Sequence, residues 1–235
     1  MSQELMMARR GVMGVLAGAA VLALGGCGVL GGTKSYRFRM TVEIETPQGL
    51  KIGSSVMEIT SYKTMKLTSE EHSGGGSFRG EAVVVDLPNG PVFALLKNDN
   101  AGQPLDVRVT SALSQVTEFN TVDDYVATVA DLGGMFSSAK AELPREGWPI
   151  MVRFRDIDDP KSVEKVDPDA IGVKRILLET TGDDVTTGIE KNLKWFPEYR
   201  DRFFDGSSTA IEDVVTTSPA AHLTSRSFST EAFKE

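Results

Sequence analysis

Residues 36–45 alternate apolar and polar side chains, and this constrains the fold more than any other stretch of the chain. Such a period of two is typical of a β-strand with one buried and one solvated face. We expect five apolar side chains to point into a core: Tyr36, Phe38, Met40, Val42 and Ile44. Residues 46–49 supply a turn and residues 51–60 a partner strand, so the domain is predicted to begin with an antiparallel hairpin.

Further strands are predicted along the chain. Residues 80–87 and 92–97 form a second hairpin in this interpretation, with Pro88 and Asn89 at the turn centre because Pro91 lacks a closing amide. Residues 105–109, 150–155 and 174–180 also read as strands. The glycine-rich residues 72–77 indicate a flexible loop between strands.

Two helices are predicted from their start signals and apolar spacing. Thr121 and Asp124 form a capping-box pair ahead of an apolar stripe that ends at Gly133. A second helix begins at Thr187, carries Ile189, Leu193 and Phe196 on one face, and is limited by Pro197. Together the elements predict an α+β fold, mostly antiparallel sheet built from hairpins, with two or three helices.

The chain divides into four parts in this prediction. Residues 1–26 form a signal peptide, residues 27–35 a lipidated tether, residues 36–204 the α+β domain, and residues 205–235 a poorly ordered tail rich in Ser and Thr. No internal repeat is convincing. The domain is long enough to bury a core of ordinary size.

The first 27 residues have the layout of a secretory signal that ends at the only cysteine. Arg9 and Arg10 precede an apolar run over residues 12–24, which is shorter than the roughly 20 residues that a membrane-spanning helix needs. The segment Leu24-Gly25-Gly26-Cys27 resembles the lipobox of bacterial lipoproteins. A plain signal peptide with an incidental cysteine and an uncleaved anchor stay open as alternatives, as do Met6 and Met7 as start positions.

The lipobox resemblance implies an address in the cell envelope. It implies cleavage after Gly26, a diacylglycerol group on the Cys27 thiol, and acylation of the new amino terminus by a fatty acid such as palmitate. More than one acyl chain makes membrane attachment stable. The expected product is a membrane-anchored lipoprotein that faces the periplasm, and Gly28 directly after the anchor is compatible with the outer membrane.

Charge and cysteine content exclude several classes of function. Removal of residues 1–26, which carry Glu4, Arg9 and Arg10, changes the formal net charge from −8 to −9. Such an acidic domain is a poor binder of nucleic acid, which is recognised through Lys and Arg on phosphates. With Cys27 lipidated no thiol remains for a disulfide, a nucleophile or a metal site. No cofactor is expected.

Motifs for catalysis are weak. The two histidines, His72 and His222, lie outside any recognisable motif and are expected on the surface. Ser137 with Lys140, and Ser162 with Lys165, each match the Ser-x-x-Lys spacing of penicillin-binding enzymes, but the companion motifs of those enzymes are absent. We expect no catalytic serine at either position.

Clustered charges give two further candidates. Asp156, Asp158 and Asp159 could chelate Ca²⁺, although a simpler interpretation has Asp159 capping a short helix that begins at Pro160. Four arginines are predicted on outward strand faces, and they would form an anion-binding patch if their strands were neighbours. Pairing of these arginines with Glu43, Glu45 and Asp156 is the more ordinary expectation. The four are Arg37, Arg39, Arg153 and Arg155.

Four stretches, residues 37–59, 84–96, 152–169 and 186–195, resemble a family of uncharacterised exported proteins of Gram-negative bacteria. That resemblance implies one folded unit and no particular activity. The leading hypothesis is a lipid-anchored, non-enzymatic envelope protein that binds a partner protein, a glycan or a lipid through its sheet surface. The alternatives are an envelope hydrolase that uses Asp156 or Asp158, and a Ca²⁺-dependent binding module.

Overall fold

The computed structural model describes residues 33–63, 74–98, 104–134, 137–200, 202–208 and 218–232. Within them the chain has the α+β fold that the sequence predicted, with two antiparallel sheets and two α-helices. The strands, in chain order, are β1 (Lys34–Thr46), β2 (Gly49–Lys63), β3 (Gly74–Arg79), β4 (Val83–Leu87), β5 (Gly90–Asn98), β6 (Lys140–Glu142), β7 (Pro149–Phe154), β8 (Val163–Lys165) and β9 (Val173–Thr180). The helices are α1 (Leu105–Ser114) and α2 (Val122–Leu132).

The first sheet has the strand order β3-β2-β1-β9-β6. Its centre is the predicted hairpin of β1 and β2, in which Lys34 pairs with Ser61 and Thr46 with Gly49. The five alternating apolar residues of β1 are buried, as predicted. Residues 74–79 belong to this sheet as β3, so the prediction of a loop over 72–77 was wrong for its described part, because the glycines pair with β2 through their backbone.

The second sheet has the order β4-β5-β7-β8, and its first two strands form the second predicted hairpin with Pro88 and Asn89 in the turn. Its two central strands, β5 and β7, bury apolar side chains on both faces, which is the pattern of a sheet covered on both sides. Val92 and Ala94 of β5 belong to the core shared with the first sheet, whereas Phe93 and Leu95 face away from it into a second core.

The two helices pack on the inner face of the first sheet. Thr121 and Asp124 form the predicted capping box of α2, with 3.1 Å from each backbone amide to the opposite side chain, and Gly133 follows its last turn. The strand predicted over 105–109 was wrong, because Leu105, Val109 and Leu113 recur every four residues and bury one face of α1 instead. None of the helices in the described residues is long and apolar enough to cross a membrane.

Residues beyond β9 cover the outer face of the second sheet with short 3₁₀ turns at Ile189–Lys191, Phe196–Tyr199, Pro219–Ala221 and Ser225–Ser227. The helix predicted from Thr187 was wrong as a continuous element. Gly188 has a positive φ of 110°, outside the helical region, and the helical turn that follows it covers only Ile189–Lys191. The predicted tail of residues 205–235 is irregular where it is described, yet its residues 218–232 belong to this second core.

The carboxylate of Glu81 joins these C-terminal segments to the sheets. Glu81 is buried just before β4, and it accepts hydrogen bonds from the Ile189 amide at 2.9 Å and the Ser229 hydroxyl at 3.1 Å. The Ser55 hydroxyl of β2 donates to the Glu81 backbone carbonyl at 2.8 Å. Burial raises the pKa of the Glu81 carboxyl, while the hydrogen bonds from Ser229 and Ile189 oppose that shift.

A candidate binding cleft between two helices and two strands

A cleft of about 770 Å³ lies where the glycine end of β3 and the last residues of β5 meet the N-terminal ends of α1 and α2. Such a volume lies within the usual range for small-molecule sites, about 300–1,000 Å³. Most of the side chains that line it are apolar or aromatic: Phe78, Leu96, Leu105, Val107, Phe119, Val122 and Tyr125. Five polar residues complete the wall: Lys97, Asn98, Asp106, Asn120 and Thr121.

A series of hydrogen bonds fixes Asp106, whose carboxylate lies between the two helices. Tyr125 of α2 donates from its hydroxyl to Asp106 Oδ2 of α1 at 3.0 Å. The Thr110 hydroxyl donates to the Asp106 carbonyl at 2.7 Å, and the Tyr36 hydroxyl of β1 lies 2.9 Å from that Thr110 oxygen. Because the Thr110 hydroxyl already donates its one proton to the carbonyl, the Tyr36 hydroxyl is the donor in the contact between the two hydroxyls. The Tyr125 hydroxyl thus holds the Asp106 carboxylate beside the cleft, while the Thr110 hydroxyl, itself bound by Tyr36, binds the Asp106 backbone carbonyl.

Both tyrosines keep their protons. Burial raises the pKa of the Tyr36 and Tyr125 hydroxyls well above the ordinary value, and the Asp106 charge raises that of Tyr125 further. Lys97 is part of the cleft wall, but its ammonium donates to the His222 backbone carbonyl at 3.4 Å, outside the lining residues, and burial lowers the pKa of that ammonium. The cleft thus combines an apolar lining with one fixed acceptor, the Asp106 carboxylate.

The glycines of β3 let the strand approach this network closely. A Cβ atom added to Gly76 would lie 2.7 Å from Asp106 Oδ2 and 3.2 Å from the Tyr125 hydroxyl. One added to Gly75 would lie 2.8 Å from the Tyr62 hydroxyl. Larger residues at these positions would displace the polar groups or fill the cleft, so the sequence of β3 is fitted to the space beside it.

No family model, curated protein or solved structure matches the chain.

The candidate lipidation site, Cys27, lies outside the described residues, as does His72. His222 is exposed just after the turn Pro219–Ala221. Neither Ser-x-x-Lys pair has its two residues on one helical turn. Ser137 precedes β6, whose first residue Lys140 forms an ion pair with Glu179, while the buried Ser162 hydroxyl is bound to the carbonyls of its own loop.

The acidic loop has the local structure that the simpler interpretation predicted. Asp159 accepts a hydrogen bond from the Lys161 amide at 2.9 Å at the start of the 3₁₀ turn Pro160–Ser162, and Asp156 accepts one from the Asp158 amide at 3.0 Å. All three aspartates are exposed and lie outside the cleft. Within the part of the chain that the structure describes, no three acidic, histidine or cysteine side chains are grouped so as to hold a metal ion.

The four arginines do not form one patch, because Arg37 and Arg39 lie on the first sheet and Arg153 on the second, with Arg155 directly after it. They pair with acidic residues, as expected, but not with the partners predicted. Arg37 binds Glu58 and Asp184, and Arg39 binds Asp183. Arg153 and Arg155 both bind Glu164. Of the partners predicted, Glu43 instead binds Arg175, the residue opposite it on β9, through hydrogen bonds of 2.8 and 3.2 Å.

The residues that line the cleft were missed in the sequence. Asp106 falls in the segment predicted as a strand, and Gly75 and Gly76 fall in the segment predicted as a loop. A signal for α1 was present, since Leu105, Val109 and Leu113 have helical spacing after Pro104. No local signal in the sequence relates Asp106 to Tyr125, because their contact depends on how the two helices pack.

Proposed function

We propose that this protein is a lipid-anchored envelope protein that binds an amphiphilic molecule in the cleft between α1, α2, β3 and β5. The observation that carries the proposal is the composition of the cleft: a largely apolar wall around one fixed carboxylate, that of Asp106. Binding sites for small molecules have this character, with a few placed polar groups in a mainly hydrophobic cavity.

The apolar lining favours a ligand with a hydrocarbon or ring portion. Phe78, Phe119 and Val122 converge on the space from β3, from the residues before α2 and from its first turn. Burial of apolar ligand surface against such walls contributes roughly 25 cal/mol for each Å² removed from water. The polar groups would orient the other end of the ligand, because each of them can bind a hydroxyl, an amide or a charged headgroup.

The anchor is proposed from the sequence. Lipidation of Cys27 would hold the domain at a membrane surface, where amphiphilic molecules are concentrated. The test is Cys27→Ser in the native host, followed by acyl labelling and detergent partitioning. Loss of both supports the anchor, and unchanged labelling and partitioning would rule it out.

A hydrolase that uses Asp156 or Asp158 receives no support from the geometry. A catalytic carboxylic acid needs a site that keeps it protonated or positions it against a substrate, which generally requires a cleft. Both residues are exposed and each takes part in the hydrogen bonding of a surface loop. We therefore favour binding over catalysis.

The binding proposal can be tested with the purified chain from residue 27 onwards and the fluorescent apolar probe N-phenyl-1-naphthylamine. Val107→Trp places a large ring in the cleft, and the matched control Ile52→Trp adds the same ring at a strand position that is 57% exposed. We expect the unsubstituted chain and the Ile52→Trp control to bind the probe, and Val107→Trp to bind at least about tenfold more weakly because the space is filled. Each variant is checked for cooperative urea unfolding.

Two results would contradict the proposal. One is absence of probe binding by the unsubstituted chain. The other is equal affinity in all three proteins, which would place the probe elsewhere on the surface.

A further inference from the structure

We infer that the cleft opens at the end of the domain from which the anchor segment leaves, and that its ligand is a lipid of the bilayer that holds the anchor. This inference rests on the proposed function and deepens it. It follows from the position of the cleft glycines relative to the first residues of β1.

Three strands place the anchor segment and the cleft side by side. In the first sheet Lys34 of β1 pairs with Ser61 of β2, and Ser61 pairs with Gly76 of β3. Neighbouring strands are about 4.8 Å apart, so the backbone at Lys34 lies about 10 Å from that of Gly76. Gly76 lines the cleft, and Lys34 is where the chain from Cys27 enters the sheet.

The length of the connecting chain limits how far the cleft can lie from the membrane. Cys27 precedes Lys34 by seven positions, and a chain spans at most about 3.6 Å per residue, so the connection reaches about 25 Å whatever its conformation. The cleft glycines are then within about 35 Å of the acylated residue. The opposite end of the hairpin can lie much farther from the acylated residue, because the 13 residues of β1 add about 40 Å to this limit at roughly 3.4 Å each.

The surface at this end suits a bilayer interface. Tyr62 is 41% exposed at the end of β2. Lys63 follows it on the same strand, and Lys34 lies on β1 opposite Ser61. Tyrosine rings and lysine stems are amphipathic and are favoured at the boundary between lipid and water. The Lys63 ammonium forms an ion pair with the Asp123 carboxylate at 3.0 Å, and Asp123 directly follows Val122 of the cleft wall. An amphiphile that leaves the bilayer at this end therefore has the cleft close by.

The test attaches the same domain to vesicles at either end. The chain from residue 27 onwards has one thiol, at Cys27, which couples to a maleimide phospholipid in phosphatidylcholine vesicles. The double variant Cys27→Ser, Gln48→Cys couples through the exposed turn between β1 and β2. The vesicles carry a fluorescent phospholipid and a quencher lipid that does not exchange, so extraction of the fluorescent lipid is read as recovery of emission.

We expect attachment at Cys27 to give an initial extraction rate at least about threefold higher than attachment at the turn, because the cleft is then concentrated at the bilayer. Val107→Trp should abolish this extraction in the chain attached at Cys27. Equal rates from both attachments, with probe binding by the uncoupled chain intact, would overturn the inference and leave the binding site standing. Loss of probe binding by the uncoupled chain would overturn both.

Discussion

Phe228 connects the last described residues to the rest of the fold, and its removal is expected to destabilise the whole domain. Its ring is 0% exposed and packs against four others, with centroid distances of 5.6 Å to Phe93, 6.0 Å to Phe154, 6.2 Å to Phe196 and 5.4 Å to Phe204. Phe-to-Ala changes in such surroundings cost about 3–5 kcal/mol, the sum of lost burial and the cavity left behind. Phe228→Ala should reduce the free energy of unfolding by that amount.

The measurement is urea unfolding followed by tryptophan fluorescence. Trp195 is a suitable reporter because its ring lies 5.0 Å from that of Phe204 in the same cluster. For a domain of this size the expected loss corresponds to a fall in Tm of roughly 6–20 °C. Ile52→Ala, at an exposed position, is the control and should change the unfolding free energy by less than about 0.5 kcal/mol. A loss below about 1 kcal/mol for Phe228→Ala would refute the reasoning and show that residues 218–232 are not part of the cooperative core.

Two buried or partly buried carboxylates should give opposite dependences of stability on pH. The raised pKa of Glu81 favours its protonated form in the folded state, so the contribution of this group is full below its ordinary value of 4.5 and is lost as the pH rises above it. Urea titrations from pH 4 to 7 should therefore show Glu81→Gln gaining stability relative to the unsubstituted chain as the pH rises, and a constant difference would contradict this. The pKa of Glu43 is lowered by its hydrogen bonds with Arg175, so its contribution is present above 4.5 and is lost as the pH falls. Glu43→Gln should accordingly lose most stability near pH 7 and least near pH 3, whereas a penalty that does not shrink on acidification would rule out the ion pair as its cause.

The sequence predicted those elements whose side chains alone carry a complete pattern. Alternation over residues 36–45 leaves one way to bury Phe38 and Met40 together, and the structure has that arrangement. The cap at Thr121 and the stripe that follows it define α2 in the same local manner. In these segments propensity, spacing and end signals all agree.

The failures occurred where the pattern was ambiguous or carried by the backbone. In α1 the residues Leu105, Val107 and Val109 alternate like a strand, and only the longer spacing to Leu113 distinguishes a helix. In β3 the glycines contribute no side-chain pattern, so their pairing with Tyr62 and Lys63 is set by the neighbouring strand.

The candidate cleft was beyond local reasoning for a related reason. Its walls come from β3, β5, α1 and the residues around Thr121, which are distant in the sequence and meet only once the sheets have formed. Asp106 looks like an ordinary acidic residue in the first turn of a helix until Tyr125 is placed 3.0 Å from it.

The pairing of β1 with β9 has a consequence for the order in which the chain can fold. Phe38 pairs with Thr180, so the first strand waits for residues synthesised about 140 positions later before both of its edges are hydrogen-bonded. Until then a chain that emerges with its N-terminus first presents an open strand edge, a site at which unrelated chains can add. The first sheet is therefore completed late in synthesis, and a chaperone that shields the open edge of β1 while the chain is incomplete would serve this topology better than one that acts on the finished domain.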